Sequence, residues 1–335
     1  MGQERWRRFK ANKRGYYSLW IFSILFIISL FAEFVANDSP LMVWYDGKPY
    51  FPVVKQFPET AFGGDFEVAA NYRDDYIKDL INEKGWILWP PIQYSYNTIN
   101  YDLPSPAPSP PTVENPLGTD DRGRDVVAMV IYGFRISVLF GLCLTFGSSV
   151  IGVVAGAIQG YYGGKIDIYG QRFIEIWSGM PTLFIIIILA SVVQPTFWWI
   201  LLVTLLFGWI QLVGVVRAEF LRGRNFEYVQ AAKAMGLTDP LIMFKHILPN
   251  AMIATLTFMP FILAGSITTL VSLDFVGFGL ASGSPSLGEL LAQGKANLQA
   301  PWLGITAFVT LGSILTLLVF IGEGVRDAFD PRKNY

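Results

Sequence analysis

Residues 136–157 run without a single Asp, Glu, Lys or Arg. A helix rises about 1.5 Å per residue and a bilayer core is about 30 Å thick, so a run of this length matches one crossing. Five further stretches meet the same test: 16–36, 176–193, 197–216, 252–273 and 302–322. Backbone in lipid must satisfy its own polar groups, so each is read as a helix. The expected fold class is therefore an all-α integral membrane protein with six transmembrane helices.

Composition agrees. Only 15% of the 335 residues are charged and 53% are hydrophobic, against about 25% charged in soluble domains. A net charge of -1 offers no cationic surface for nucleic acid. The single cysteine, Cys143, excludes an intrachain disulfide and a cysteine-based zinc site, and the single histidine, His246, excludes most His-dependent catalytic or metal constellations. Asp120, Asp121 and Asp125 lack the spaced oxygen ligands of a calcium loop. No metal, no resident cofactor and no catalytic residue are expected.

The first stretch follows a basic segment (Arg5, Arg7, Arg8, Lys10, Lys13, Arg14) and is read as an uncleaved anchor, because bulky Phe34 stands where a cleavage site needs a small residue. Lys and Arg then fix the orientation. With the N-terminus (1–15) inside, the inner segments gain Lys165, Arg172, Arg217, Arg222, Arg224, Lys233, Lys245, Arg326, Arg332 and Lys333, whereas the outer loop 276–301 holds only Lys295. Both termini, including 323–335, are expected in the cytoplasm. Residues 37–125 form an outer insert with fourteen Asp/Glu against seven Lys/Arg. Its Pro104, Pro106, Pro108, Pro110 and Pro111 predict an extended polyproline II spacer. The insert suits a lid on the outer mouth as well as contact with a soluble partner.

Within the expected core, 126–322, the span centres lack ionisable residues, which disfavours an ion-coupled carrier. Small residues are abundant instead. Gly152 and Gly156 form a GxxxG pair suited to close helix contact, and Pro181 and Pro260 interrupt the third and fifth spans, for packing or for a gate.

The loop 217–250 is the most informative segment. Glu227 to Met235 reads as a short helix, Gly236 as its left-handed cap, and Asp239-Pro240 as the capped start of a second helix ended by Pro249. Such an elbow at a membrane surface can dock in a groove of another protein. Glu227, Gln230, Ala231-Ala232, Gly236 and His246-Ile247-Leu248-Pro249 resemble the EAA loop of ABC importer permeases, with Gln230 in place of the initial Glu and His246 in place of Ile. Three more segments are similar to the dipeptide/oligopeptide C-subunit group: Asn115 to Asp125 followed by IYGFRIS, SLDFVGFGL with PSLGELL at 285–291, and the tail Val325 to Pro331. Leu287 stands where that group usually has Trp, and this, the long insert and WSGMPTLF at 177–184 resemble its Yej-type branch.

The resemblance implies the MetI-like type I fold and a bacterial inner-membrane location. It implies a non-catalytic pore-forming subunit importing oligopeptides and microcin C-like peptides. Its implied partners are a second, related permease, an ATP-binding subunit with two nucleotide-binding domains, and a periplasmic peptide-binding protein. The EAA loop would contact the ATPase, with Ala231 and Ala232 forming its apolar docking face. ATP and Mg would bind in the partners, and no G-x-x-x-x-G-K-[ST] phosphate loop occurs in this chain. The alternative is a stand-alone channel or secondary carrier for small solutes.

Overall fold

The computed structural model describes residues 2–281 and 283–329. The tail residues Asp330, Pro331, Arg332 and Lys333 lie outside the described residues. Four helices there are long and apolar enough to cross a membrane: Val126–Tyr162, Phe197–Gly223, Asp239–Val276 and Pro301–Phe329. A fifth crossing is made if Gly164–Ser178 and Thr182–Ala190 are one span, bent by 61°.

The differences from the expected spans have local causes. The first stretch is divided into Lys13–Leu30 and Ala32–Val35, because the Phe31 N–H reaches back to the Ile28 carbonyl, one residue tighter than an α-helical bond. It opens on Lys13 and Arg14, which dilute its apolarity. The third stretch breaks at Gly179-Met180-Pro181, where Pro181 occupies the N-cap of Thr182–Ala190 and cannot continue the preceding helix. Pro260, by contrast, lies inside the continuous Leu248–Val276 helix. The second helix opens at Val126 and so includes Arg135.

The chain divides into two compact units. One comprises Ile24–Ser137 and Ser282–Leu311. Its insert adds a small sheet to the helical architecture. Strand β1 (Met42–Tyr45) pairs antiparallel with β2 (Lys48–Tyr50) and with β3 (Gly85–Leu88), placing Val43 opposite both Tyr50 and Ile87. Asp46 and Gly47, both at positive φ, close the first hairpin in two residues, the geometry that suits strand twist. Asp74 caps the Asp75–Lys84 helix by accepting from the Tyr76 N–H at 3.0 Å. Val43, Ile77 and Ile81 bury themselves around Phe62, whose ring meets Tyr45, Tyr50, Phe57 and Tyr72 edge-on.

The proline run does not form an extended spacer. The chain bends through 104–108 and folds back, with Ser109 and Thr119 exchanging two hydrogen bonds of 2.9 Å: the Ser109 N–H to Thr119 Oγ1 and the Thr119 N–H to the Ser109 carbonyl. In the same unit Arg135 donates to both Glu33 carboxylate oxygens at 2.9 and 3.0 Å and lies over the Tyr132 ring, so these two charges satisfy each other.

The second unit comprises Met1–Ser23, Val138–Ala281 and Gly312–Tyr335. Here Gly152, Gly156 and Gly160 face the Ile210–Gly223 helix. A Cβ would stand 2.5 Å from the Trp209 carbonyl oxygen at Gly152, 2.8 Å from that of Val213 at Gly156 and 2.5 Å from that of Arg217 at Gly160. The GxxxG pair thus serves packing within this chain, extended by one further turn. Arg217 and Asp167 reinforce it with two hydrogen bonds, one of 2.6 Å and a shorter one from Nε to Oδ1. Gly160→Leu is expected to force the helices apart and cost about 1–3 kcal/mol or more from overpacking. Thermal melting of the purified protein in detergent, beside Gly214→Ala, a helical position where no atom lies within 4 Å of the added Cβ, checks this.

Candidate functional site

The elbow begins where Phe226, in extended conformation, precedes the Glu227–Ala234 helix. Val229 and Ala232 lie three positions apart and therefore share a face. Both are buried against Ala157, Tyr161, Val216, Phe220, Ile242, Ile247 and Ala251. Gly236, at φ 81°, ends the helix: its N–H donates to the Lys233 carbonyl at 3.0 Å and the Leu237 N–H to that of Ala232 at 3.2 Å. This is the paired bonding of a glycine C-cap, and Leu237 packs on the cluster as such caps favour. No atom lies within 4 Å of a Cβ built on Gly236, so the backbone dihedral alone calls for glycine there.

Beyond Gly236, Thr238 rather than Asp239 takes the cap position, and it makes no side-chain cap bond. Asp239 is drawn away: its carboxylate accepts from the Tyr161 hydroxyl at 2.7 Å. Pro240 occupies the first turn of Asp239–Ile242. Pro249 does not end the second arm. Met243–Ile247 forms a π-helical turn that leads directly into Leu248–Val276, with Pro249 in the first turn of the latter. The wider turn accommodates a residue that has no N–H to donate.

Polar bonds link the two arms. The Tyr228 hydroxyl donates to the His246 carbonyl at 3.4 Å, and Asn250 Nδ2 donates to Tyr228 at 3.1 Å. Gln230 Nε2 donates to the Asn225 carbonyl at 3.3 Å. His246 is half-buried, Ile247 is buried against Gly223, Leu248 packs on the cluster, and Pro249 is exposed.

Ala231 and Ala232 do not share an outward face. Ala232 is buried and Ala231 exposed, as successive helical positions about 100° apart require. The outward surface of the loop instead carries Ala231, Phe226, Tyr228, Met235, Leu241 and Phe244, with Met235 and Phe244 each 74% exposed. Phe226, Tyr228, Met235 and Leu241 are not legible in sequence: the helical period counted from Val229 and Ala232 sets Met235, three positions on, toward the buried side, and its exposure depends on the helix ending at Ala234.

In the other unit, two of the motif segments meet. Arg124, 3% exposed, donates to fully buried Asp120 through Nε at 2.7 Å and to Glu289 through Nη2 at 3.1 Å. Asp120 also accepts from the backbone N–H of Arg122 and Arg124 and from Gln293 Nε2 at 3.3 Å. Asp125 accepts from Asn115 Nδ2 and the Ala128 N–H, both at 2.8 Å. Burial pushes its carboxyl up from the usual range, against the pull of those donors. Trp302 Nε1 donates to the Thr119 carbonyl at 3.2 Å. Asp120 and Arg124 of the Asn115–Asp125 motif thus form a charge clamp onto the Leu287–Ala296 helix, while Asp125 holds Asn115 and the start of Val126–Tyr162. The SLDFVGFGL motif ends the fifth span with the same cap as the elbow: Gly277, at φ 87°, donates to the Asp274 carbonyl and Phe278 to that of Leu273.

Residues 148–335 match the family model of the binding-protein-dependent transport system inner membrane component. The chain belongs to this permease family. Residues 1–59 match the N-terminal TM domain of oligopeptide transport permease C. The chain is 63% identical over 333 residues to the inner membrane ABC transporter permease protein YejE of Escherichia coli (strain K12), covering 99% of this chain and 98% of that one. It is 56% identical to the peptidoglycan transport system permease protein YejE of Agrobacterium fabrum (strain C58 / ATCC 33970), covering 99% and 93%. The oligopeptide transport system permease protein OppC of Haemophilus influenzae is 35% identical over 242 residues, or 71% of this chain and 77% of that one. As a Yej-type member of the permease family, the chain is a multi-pass inner-membrane subunit with the MetI-like fold. It forms the pore of an ABC importer, a system that includes an ATP-binding subunit and a periplasmic binding protein.

Proposed function

We propose that this permease pairs with a second, related permease to conduct peptides, and that the loop 217–250 is the element through which the partner ATPase drives it. The observation that carries this reading is the elbow itself. Gly236 fixes the angle between two arms whose inner faces are buried in one core, while Met235, Leu241 and Phe244 project outward. An exposed apolar surface on a rigid, polar-laced loop suits insertion into a groove of a protein partner. ATP and Mg are bound by that partner, which carries two nucleotide-binding domains. Closure of those domains moves the elbow, and the elbow moves Leu248–Val276, to which it is helically continuous.

The substrate class is peptides, supported by relatives named for oligopeptide and peptidoglycan transport. Oligopeptides and microcin C-like peptides are the first to test. The permease reconstituted with its partner permease, ATPase and binding protein should import them with ATP, and should be inert alone. Transport by the chain alone in liposomes would instead favour a stand-alone channel or carrier.

Counting Lys13–Leu30 and the bent pair each as one crossing beside the four long helices, we read six spans with both termini in the cytoplasm and the insert in the periplasm. Val113 is 99% exposed on it. With Cys143 replaced by Ser, Val113→Cys should react with an impermeant maleimide in intact spheroplasts. Labelling only after permeabilisation would overturn the orientation.

A further inference from the structure

We propose that the N-terminal helix Gly2–Ala11 and the start of Lys13–Leu30 form a binding site for anionic phospholipid headgroups. One side of this segment is committed to the protein. Phe9 is buried, with its ring 2.9 Å from a Cβ built on Gly324. The Arg5 guanidinium lies 4.7 Å above the Phe329 ring, and Asn12 Nδ2 donates to Asp327 at 3.1 Å. A Cβ on Gly15 would meet the Gly324 Cα at 2.9 Å, so the two backbones touch. Asn12 also caps the following helix by accepting from the Gly15 N–H at 3.1 Å. The segment is therefore held in place.

On the other side no counter-charge pairs with the cations among the described residues. Arg7, Lys10, Lys13 and Arg14 are exposed, and none is paired with a carboxylate among the described residues. Of the nearby acids, Glu4 is taken by Arg8 and Asp327 by Asn12. After the cations comes an aromatic tier of Tyr16, Tyr17 and Trp20, which Trp6, from the helix before, joins by packing on Tyr16: Trp6 contacts Tyr16 and Tyr16 contacts Trp20, each with ring centroids at 6.3 Å, and Trp6, Tyr17 and Trp20 are exposed. Exposed Ile21 then begins the aliphatic surface. Cations, amphipathic rings and aliphatic side chains in this order match phosphate, interface and hydrocarbon in a bilayer. A soluble polyanion would use the cations but leave the adjoining rings and aliphatic surface unmatched, so the occupant is lipid. Each basic residue near an anionic surface changes affinity by about fivefold, and the effect is screened by salt.

This inference rests on the reading that places the segment at a membrane surface, but the following test works in detergent and is independent of which surface. The purified importer complex, delipidated in neutral detergent, is titrated with phosphatidylglycerol or phosphatidylcholine, and retained lipid is counted by native mass spectrometry. The wild type should retain phosphatidylglycerol preferentially, and that preference should collapse in high salt. R7Q/K10Q/K13Q/R14Q should lose it by a hundredfold or more, with an unchanged melting temperature in phosphatidylcholine. K10Q/K13Q, which leaves both arginines, should show an intermediate loss and serves if the fourfold variant does not fold. Equal retention of the two lipids by the wild type, undiminished preference in K10Q/K13Q, or displacement by soluble polyphosphate with equal efficiency would overturn the proposal.

Discussion

Arg124→Ala is expected to cost about 3–5 kcal/mol, because it leaves buried Asp120 without its counter-charge. Asp120 would keep its bonds from the backbone N–H of Arg122 and Arg124 and from Gln293, which is why the loss should stop short of abolishing the local fold. Glu289 would lose its 3.1 Å partner and keep the longer 3.9 Å approach of Arg122, which weakens the tie between the two motif segments. Arg124→Lys restores the charge without the fork that reaches Asp120 and Glu289 together, so it should recover only part of the loss. Removing Asp120 as well should be less harmful than the two single effects added, since the pair is coupled. Thermal melts of the four proteins in detergent give this coupling directly. Additive losses would show that the clamp is not a single electrostatic unit.

The second large effect concerns Gly236. Valine strongly disfavours positive φ, whereas asparagine tolerates it, and neither meets a neighbour within 4 Å of its Cβ. Gly236→Val is expected to strain the elbow by about 1–3 kcal/mol or to straighten it, and to abolish peptide uptake. Gly236→Asn should retain most of it. Uptake by right-side-out vesicles carrying the full importer, with ATP inside and loaded binding protein outside, separates the two. Equal activity would mean that the dihedral at this position does not matter to coupling.

Much of this was legible in the residues because it depends on short-range physics. A run of apolar residues long enough for a bilayer needs no tertiary partner to be recognised, and a glycine between two short helical segments already calls for left-handed backbone. What escaped was decided by longer contacts or by competition. Asp239 looks like a cap until the Tyr161 hydroxyl, 78 residues earlier, takes its carboxylate. Pro249 looks like a stop until a π-helical turn absorbs it. The proline run looks extended from its composition until the paired bonds between Ser109 and Thr119 bend it back. Arg124 and Asp120 are neighbours on paper, but Glu289 stands 165 residues away. Two features were readable and missed. Asp46-Gly47 between Tyr45 and Lys48 carries a hairpin signature. Ala231 and Ala232, being adjacent on a helix, could never both have faced a partner.

That last point sharpens the test of the coupling role. Ala232→Glu would bury a carboxylate in the cluster under the elbow and should unfold it. Ala231→Glu, on the exposed side, should leave the fold and the melting temperature intact while placing an unpaired charge in the partner's groove. The decisive measurement is ATP hydrolysis by the Ala231→Glu importer in proteoliposomes, with and without loaded binding protein. A well-folded complex whose hydrolysis no longer responds to the binding protein is the expected result; stimulation equal to wild type would contradict the assignment of this loop as the coupling element.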